Sequence, residues 1–145
     1  MPRKIDEIAL TDFAQSIGLL VRRARTAAAS QELSWSEAGV LKLLSRHGPA
    51  TTADLARAEG MRPQSMRPIL ATLEKLGMIE RKPHPTDGRQ VNVELTAKGA
   101  ASQKTAGDAK RTWLAHAIAQ LDEHEREILF QAGAIIKRLA EVDPT

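Results

Sequence analysis

The sequence predicts a mainly α-helical chain with a small β-hairpin wing (α+β): a winged helix-turn-helix lobe between long N- and C-terminal helices. Three observations lead there. Apolar residues recur at spacings of three and four over most of the 145 residues. The period changes to two in only two short stretches, "MIERK" and "QVNVELT", joined by the turn-rich "PHPTDG". Aromatic residues are 3% of the chain, with no Tyr, so the core must be built from Leu, Ile, Val and Ala, which suits helix-on-helix packing. A chain of this length is most simply one domain with a single core.

The first helix is expected over about residues 6–29, where Ile8, Phe13, Ile17, Leu20, Val21, Ala24 and Ala28 share a face. In "ELSWSEAGVLKLLSRHG", Ser34 and Glu37 form an S-x-x-E capping box and Val40, Leu41 and Leu44 supply a buried face. Gly48-Pro49 ends that helix. "ATTADLARAEG" reads as a short third helix, with Thr51 or Thr52 as N-cap, Asp54 in the first turn and Gly60 as stop. The fourth lies in "GMRPQSMRPILATLEKLG", with Ile69, Leu70, Leu73 and Leu76 on one face and Gly77 as stop. The hairpin follows, with Ile79 on one side and Val91, Val93 and Leu95 on the other. Thr96 caps a long helix to about Leu121, whose apolar side carries Trp113, Leu114, Ala117, Ile118 and Leu121. "DEHEREILFQAGAIIKRLA" is the last helix, striped by Ile128, Leu129, Ala132, Ile135, Ile136 and Leu139. There is no internal repeat and no low-complexity tract.

Charge placement says more than the net +3. Residues 62–89 hold six basic groups (Arg62, Arg67, Lys75, Arg81, Lys82, Arg89) against three acidic ones (Glu74, Glu80, Asp87), and the rest of the chain balances. A local basic excess favours a polyanionic partner. There is no cysteine, which excludes disulfides, thiolate catalysis, Cys-ligated zinc and thiol-based redox sensing. The start, "MPRKIDEIALTDF", has no continuous apolar stretch and no run approaches a membrane span, so a cytoplasmic location is expected.

The fourth helix contains Pro63 and Pro68, each preceded by an arginine. A proline in a helix interior costs about 3 kcal/mol, since one hydrogen bond is lost and a carbonyl is crowded. Pro63 fits a first turn, where N–H groups have no intrahelical partner to lose. Pro68 leaves the carbonyl of Gln64 without its donor, and a bend or a tightened first turn is expected there rather than a break. In a helix-turn-helix the second helix of the pair enters the major groove and presents its N-terminal residues to base edges. Arg67 can donate two parallel bonds to guanine, Gln64 can pair with adenine, and Ser65 can reach a base or a phosphate. Arg62 joins them as a DNA-contact candidate.

The hairpin stretch "RKPHPTDGRQVNVELTAKG" carries a D-x-R…L-T-x-x-G pattern in Asp87, Arg89, Leu95, Thr96 and Gly99. Upstream, Leu73, Glu74, Gly77 and Arg81 form L-E-x-x-G-x-x-x-R. Together with the helix order, these motifs resemble the MarR family of bacterial transcription regulators over essentially the whole chain. The resemblance implies a homodimer on double-stranded DNA, acting as a ligand-responsive repressor at a pseudo-palindromic operator. It implies a winged helix-turn-helix lobe at about residues 32–96 and a helical dimerisation region at about 1–31 and 97–145. Arg89 would reach the minor groove, where narrow A·T-rich stretches attract a cation. Asp87 would hold the wing tip, with His84 beside them as a further DNA-contact candidate. A small aromatic or anionic effector would sit where the terminal helices meet the lobe, with Trp35, Arg46, His47 and Trp113 as wall candidates. Many relatives carry an arginine or other polar residue where this chain has Pro68, so a relative's operator sequence does not transfer.

Other classes were weighed on the same residues. No Gly-rich phosphate loop, nucleophile elbow or H-E-x-x-H is present, and "HEREI" has Ile128 where a second histidine would be needed, so an enzyme is not expected. His116, Asp122, Glu123, His124 and Glu125 cluster near the last turn, which leaves a metal-responsive regulator of the same fold as an alternative. Their spacing fits no compact tetrahedral site, and no resident metal or cofactor is expected. A non-specific architectural DNA-binding protein is the other alternative.

Overall fold

Side-chain caps set where most of the helices begin. The computed structural model describes residues 4–29 and 33–144; the expected boundary between terminal helix and lobe, at about residues 31 and 32, lies outside the described residues. Helix α1 (Glu7–Ala28) starts at Asp6, whose carboxylate accepts from the N–H groups of Ile8 and Ala9. Helix α2 (Trp35–His47) has the expected reciprocal box between Ser34 and Glu37. Helix α3 (Thr52–Ala58) settles its cap on Thr51, boxed with Asp54. Hydrogen bonds from Thr51, side chain first and then backbone, hold the Asp54 carboxyl below the usual range. That cap is therefore fully formed above the ordinary carboxylate range and is lost as pH falls through the depressed value. Helix α5 (Ala97–Ala119) is capped by Thr96 and α6 (Glu123–Ala140) by a box of Asp122 with Glu125.

Helix α4 (Pro63–Lys75) runs through Pro68 without interruption. Its N-cap, Arg62, makes no side-chain cap, but the Arg62 carbonyl accepts from both Ser65 (2.9 Å) and Met66 (3.1 Å), a tightened first turn. The buried face is Met66, Leu70 and Leu73, whereas Ile69 and Leu76 are only half-buried. The apolar anchor thus begins one turn earlier than the Ile69–Leu76 reading, because the helix itself starts at Pro63. At its other end Gly77 takes φ 75°, with Gly77 N–H on the Glu74 carbonyl and Met78 N–H on the Leu73 carbonyl. This is a Schellman stop, in which only glycine adopts the required left-handed turn without strain.

Strands β2 (Ile79–Pro83) and β3 (Val91–Leu95) form the expected antiparallel hairpin. The sheet has a third member that period-two reading missed, the two-residue strand β1 (Ala50–Thr51), paired to β3 in the order β1-β3-β2. The register puts Ile79 opposite Leu95, so these residues share a face instead of standing on opposite sides. Val93 is buried, while Val91, near the hairpin tip, is exposed.

Among the described residues, all the buried apolar side chains lie between Val40 and Val93, contributed by α2, α3, α4, Met78 in the turn after α4, and the sheet. Among the described residues, α1 and α6 have none buried, and α5 buries only Gly99. Helix α1 packs along α5. Helix α6 is tied to the end of α5 by Arg126, whose guanidinium donates to the carbonyls of Ile118 and Ala119. The apolar stripes of the terminal helices nevertheless face solvent, with Ile8 75% and Phe130 66% exposed.

The turn after α4 and the sheet meet the start of α5 at one joint. Thr96 Oγ1 donates to the Gly77 carbonyl (2.5 Å), Thr96 N–H to the Met78 carbonyl (3.1 Å), and Lys98 Nζ to the Leu76 carbonyl (2.7 Å). Gly99 sits so close that an added Cβ would lie 2.0 Å from the Met78 oxygen. Gly99→Ala is therefore expected to destabilise the protein by about 3 kcal/mol in a denaturant titration, since backbone must move; a change below the scatter of surface substitutions would contradict the joint. Pro68→Ala should act the other way. It returns a donor to the Gln64 carbonyl and relieves a ring clash, less the entropy that proline removes from the unfolded chain, a net gain of about 2 kcal/mol. A lowered thermal midpoint would mean that the helix begins later than Pro63, with Pro68 itself in the first turn.

Candidate nucleic-acid interface

The outer face of α4 is a stripe. Gln64, Pro68, Ala71 and Lys75 recur at helical spacing opposite the buried Met66, Leu70 and Leu73, and all four are exposed. Ser65 and Thr72 flank them on one side and Arg67 on the other, also exposed. Arg62 stands at the entry. Sequence reading selected Arg62, Gln64, Ser65 and Arg67 and passed over Ala71, Thr72 and Lys75. The signal for the latter was the same spacing counted onward from Gln64.

The wing tip is built by its own side chains. The ring Nδ1 of His84 accepts from the N–H groups of Thr86 (3.2 Å) and Asp87 (3.1 Å), so His84 organises the turn. Asp87 then accepts the Arg89 N–H at its carboxylate (3.0 Å) and the Gln90 N–H at its carbonyl (3.0 Å). The His84 N–H closes the loop on the Gln90 carbonyl. Asp87 thus engages the backbone of Arg89 and leaves its guanidinium exposed at the tip.

Ion pairs divide the basic groups of this segment. Arg81 donates to Glu74 at 2.9 Å, bracing β2 against α4. Lys82 lies between Glu94 (2.6 Å) and Glu80 (3.4 Å). Both pairs are exposed and stabilise little, but they neutralise charge locally. Among the described residues Arg62, Arg67, Lys75 and Arg89 make no ion pair. Within this segment the unpaired positive charge therefore lies at the entry and outer face of α4 and at the wing tip, where it can meet the phosphates of a duplex.

A second feature lies behind the lobe. A cleft of about 840 Å³ opens between α1, α2, α5 and the turn joining α3 to α4. Arg25, Trp35, Lys42, Arg46, Glu59 and Lys110 are on its wall. The Arg25 guanidinium stands 5.2 Å from the centre of the Trp35 ring, a cation–π distance. Partial burial, and then the neighbouring charges of Lys110, Arg46 and Arg25, hold the Lys42 ammonium below the ordinary lysine range. Of the four wall candidates, Trp35 and Arg46 come together here; His47, exposed at the end of α2, and Trp113, half-buried on α5, lie off the wall. Near the last turn, Asp122 and Glu125 are engaged in the α6 cap, and no three His, Asp or Glu side chains among the described residues converge as metal ligands.

Comparison with known proteins agrees with this geometry. The model of the MarR family matches residues 33–91. An HTH-type transcriptional regulator of Mycobacterium bovis is 36% identical over 134 residues, which span 92% of this chain and 94% of that protein. An HTH-type transcriptional repressor of Mycobacterium tuberculosis is 32% identical over 117 residues, 80% of this chain and 84% of the other. The crystal structure of a transcriptional regulator protein from Pseudomonas aeruginosa superposes with a TM-score of 0.86 at 30% identity, covering 98% of this chain and all of that one. Likeness of this extent, in sequence and in fold, means that the chain belongs to the MarR family of transcriptional regulators, DNA-binding proteins rather than enzymes.

Proposed function

We propose that the chain is a homodimeric, ligand-responsive repressor that binds a pseudo-palindromic operator in the cytoplasm. The observation that carries the DNA reading is the set of four cations without ion pairs on α4 and the wing. In this reading residues of about 32–96 form the DNA-binding lobe, and about 1–31 with 97–145 form the dimerisation region. Arg67 reads guanine, Gln64 reads adenine, and Arg62 and Ser65 hold the phosphate backbone. Ala71 and the Pro68 ring offer apolar contact to thymine methyl groups, and Lys75 adds a phosphate contact. His84 and Asp87 shape the turn that delivers Arg89 to the minor groove. The name of the M. tuberculosis relative supports repression as the output.

The dimer reading is supported by the exposed stripes on α1 and α6, which a lone chain leaves in water. A two-fold assembly of two lobes calls for two half-sites one or more helical turns apart. Among the described residues no helix is long and apolar enough to cross a membrane, so these stripes are not accounted for as a span. The cleft behind the lobe is the proposed effector site. Its cations favour an anion and the Trp35 ring favours an aromatic body.

Light scattering should return twice the 15.8 kDa chain mass at micromolar concentration; a stable monomer would sink the dimer reading. Arg89→Ala should weaken operator binding by about 1–3 kcal/mol with fold and assembly unchanged. Binding to operator and to scrambled DNA must be compared at one salt concentration, because the phosphate contribution varies with salt. Equal affinity for the two sequences would favour the architectural alternative, and an unaltered Arg89→Ala variant would remove the wing from the interface.

A further inference from the structure

The tip of the wing has a stiff entrance and a soft crown. Pro83 closes β2 opposite Val91 and Pro85 follows two residues later, so backbone φ is fixed on both sides of His84. The next four residues, Thr86, Asp87, Gly88 and Arg89, hold no proline and include a glycine. Their order comes from hydrogen bonds. One ring nitrogen, His84 Nδ1, accepts from two successive N–H groups, those of Thr86 and Asp87, and lies 3.3 Å from the Thr86 hydroxyl. Asp87, placed in this way, accepts the Arg89 N–H on its carboxylate. The dependence runs from the ring to Asp87 and from Asp87 to Arg89.

A nitrogen that accepts cannot carry a proton. The arrangement therefore needs the neutral ring in one tautomer, with its proton on Nε2. Protonation at Nδ1 turns the acceptor into a donor facing two donors, and the crown loses both bonds at once. Thr86 is exposed and Asp87 half-buried, so water takes up the released N–H groups and the fold survives. What is lost is the single conformation that holds Arg89 ready, and ordering it again counts against binding. The hairpin charges beside the ring are Asp87 and Arg89 in the crown and Lys82 on β2, which Glu80 and Glu94 hold. Of the helices packed on the hairpin, α4 brings Glu74, held by Arg81, and α3 brings Asp54 and Arg57, paired with each other. On α2, Glu37 is engaged in its own cap while Lys42 and Arg46 face the cleft, and on α5 Lys98 is held by the Leu76 carbonyl.

We infer that His84 is a positioning residue for Arg89 that works only as the neutral Nε2–H tautomer, so that acid unlatches the wing and weakens its hold on DNA. The inference rests on the wing reading proposed above, in which Arg89 enters the minor groove. Its sign is opposite to that of charge alone. A basic surface gains a cation when a histidine is protonated, and one exposed charge of that kind strengthens binding only about threefold. A groove contact that is no longer presented weakens binding about tenfold. The second effect is the larger. Affinity for the operator therefore falls with pH in the range where histidine changes charge, between about pH 8 and 5.

The experiment selects a duplex from random-sequence DNA with the wild-type protein, then measures its binding at about pH 8 and about pH 5.5 at one salt concentration. Wild type should bind about tenfold more weakly at the lower pH. His84→Asn has a side-chain oxygen that can accept from the same two N–H groups but does not titrate, so it should match wild type at the higher pH and show no fall. His84→Ala should be about tenfold weaker at both, and adding it to Arg89→Ala should cost nothing further, because the two act in series. In the free full-length protein at the higher pH, nitrogen NMR should find the ring proton on Nε2. The inference is overturned by a wild type that shows no fall, by weak binding of His84→Asn at the higher pH, or by full binding of His84→Ala there. Additive losses in the double variant, or a ring proton on Nδ1, overturn it as well. A fall in His84→Asn as large as that of wild type does the same and assigns the titration to His47, His116 or His124. If Arg89→Ala binds as wild type does, the wing reading itself fails and takes the inference with it.

Discussion

The carbonyl groups at and just beyond the end of α4 are answered by the residues that begin α5. A helix C-terminus exposes carbonyls that find no intrahelical donor. Here that of the C-cap Leu76 accepts from Lys98, and those of Gly77 and Met78 in the turn beyond accept from the Thr96 hydroxyl and the Thr96 N–H. The Lys98 ammonium also stands where the dipole of α4 is negative. Gly99 lets the two backbones close to a distance no side chain tolerates. Since Ile79 and Leu95 pair beside this joint, the wing is fixed by it as well. Three parts of the molecule, α4, the wing and the helix that bears the terminal region, are aligned by a handful of bonds around one turn.

Much of this fold was legible because its punctuation is chemical. Ser34 with Glu37, Thr96 before its helix, and Gly77 after Leu76 are side chains that mean a cap or a stop wherever they fall at that spacing. The terminal stripes were legible as well, as more apolar surface than one lobe can cover, although periodicity gives a face and not its neighbour. What was missed had too little pattern to show. Strand β1 is two residues long, shorter than any alternation. Met66 lies before Pro68, and the apolar face was read only from Ile69 onward, yet the helix had already begun at Pro63.

The interface was legible in part for a related reason. Residue types favoured Arg62, Gln64, Ser65 and Arg67, while Ala71 carries no group that announces recognition and emerges only from its place opposite Leu70 and Leu73. Sequence counted Arg81 and Lys82 with the available charge, because their carboxylate partners come from elsewhere in the fold: Glu74 from α4 and Glu94 from β3. The cleft was the least legible. Arg25, Lys42, Glu59 and Lys110 come from four separate segments, and only packing brings them to one wall.

The two faces of α4 also differ in how they can change over time. Met66, Leu70 and Leu73 are closed in the core, so their replacement loses packing. Gln64, Ser65, Arg67, Ala71 and Lys75 are exposed, away from that face, and most exchanges at such positions alter stability by about half a kcal/mol or less. Under the DNA reading proposed above, a duplicated gene can drift across that outer face one substitution at a time and acquire a new address on the chromosome. Each intermediate copy still folds, because the joint at Thr96 and Gly99 is left untouched. Diversity of targets and constancy of architecture are separated along a single helix.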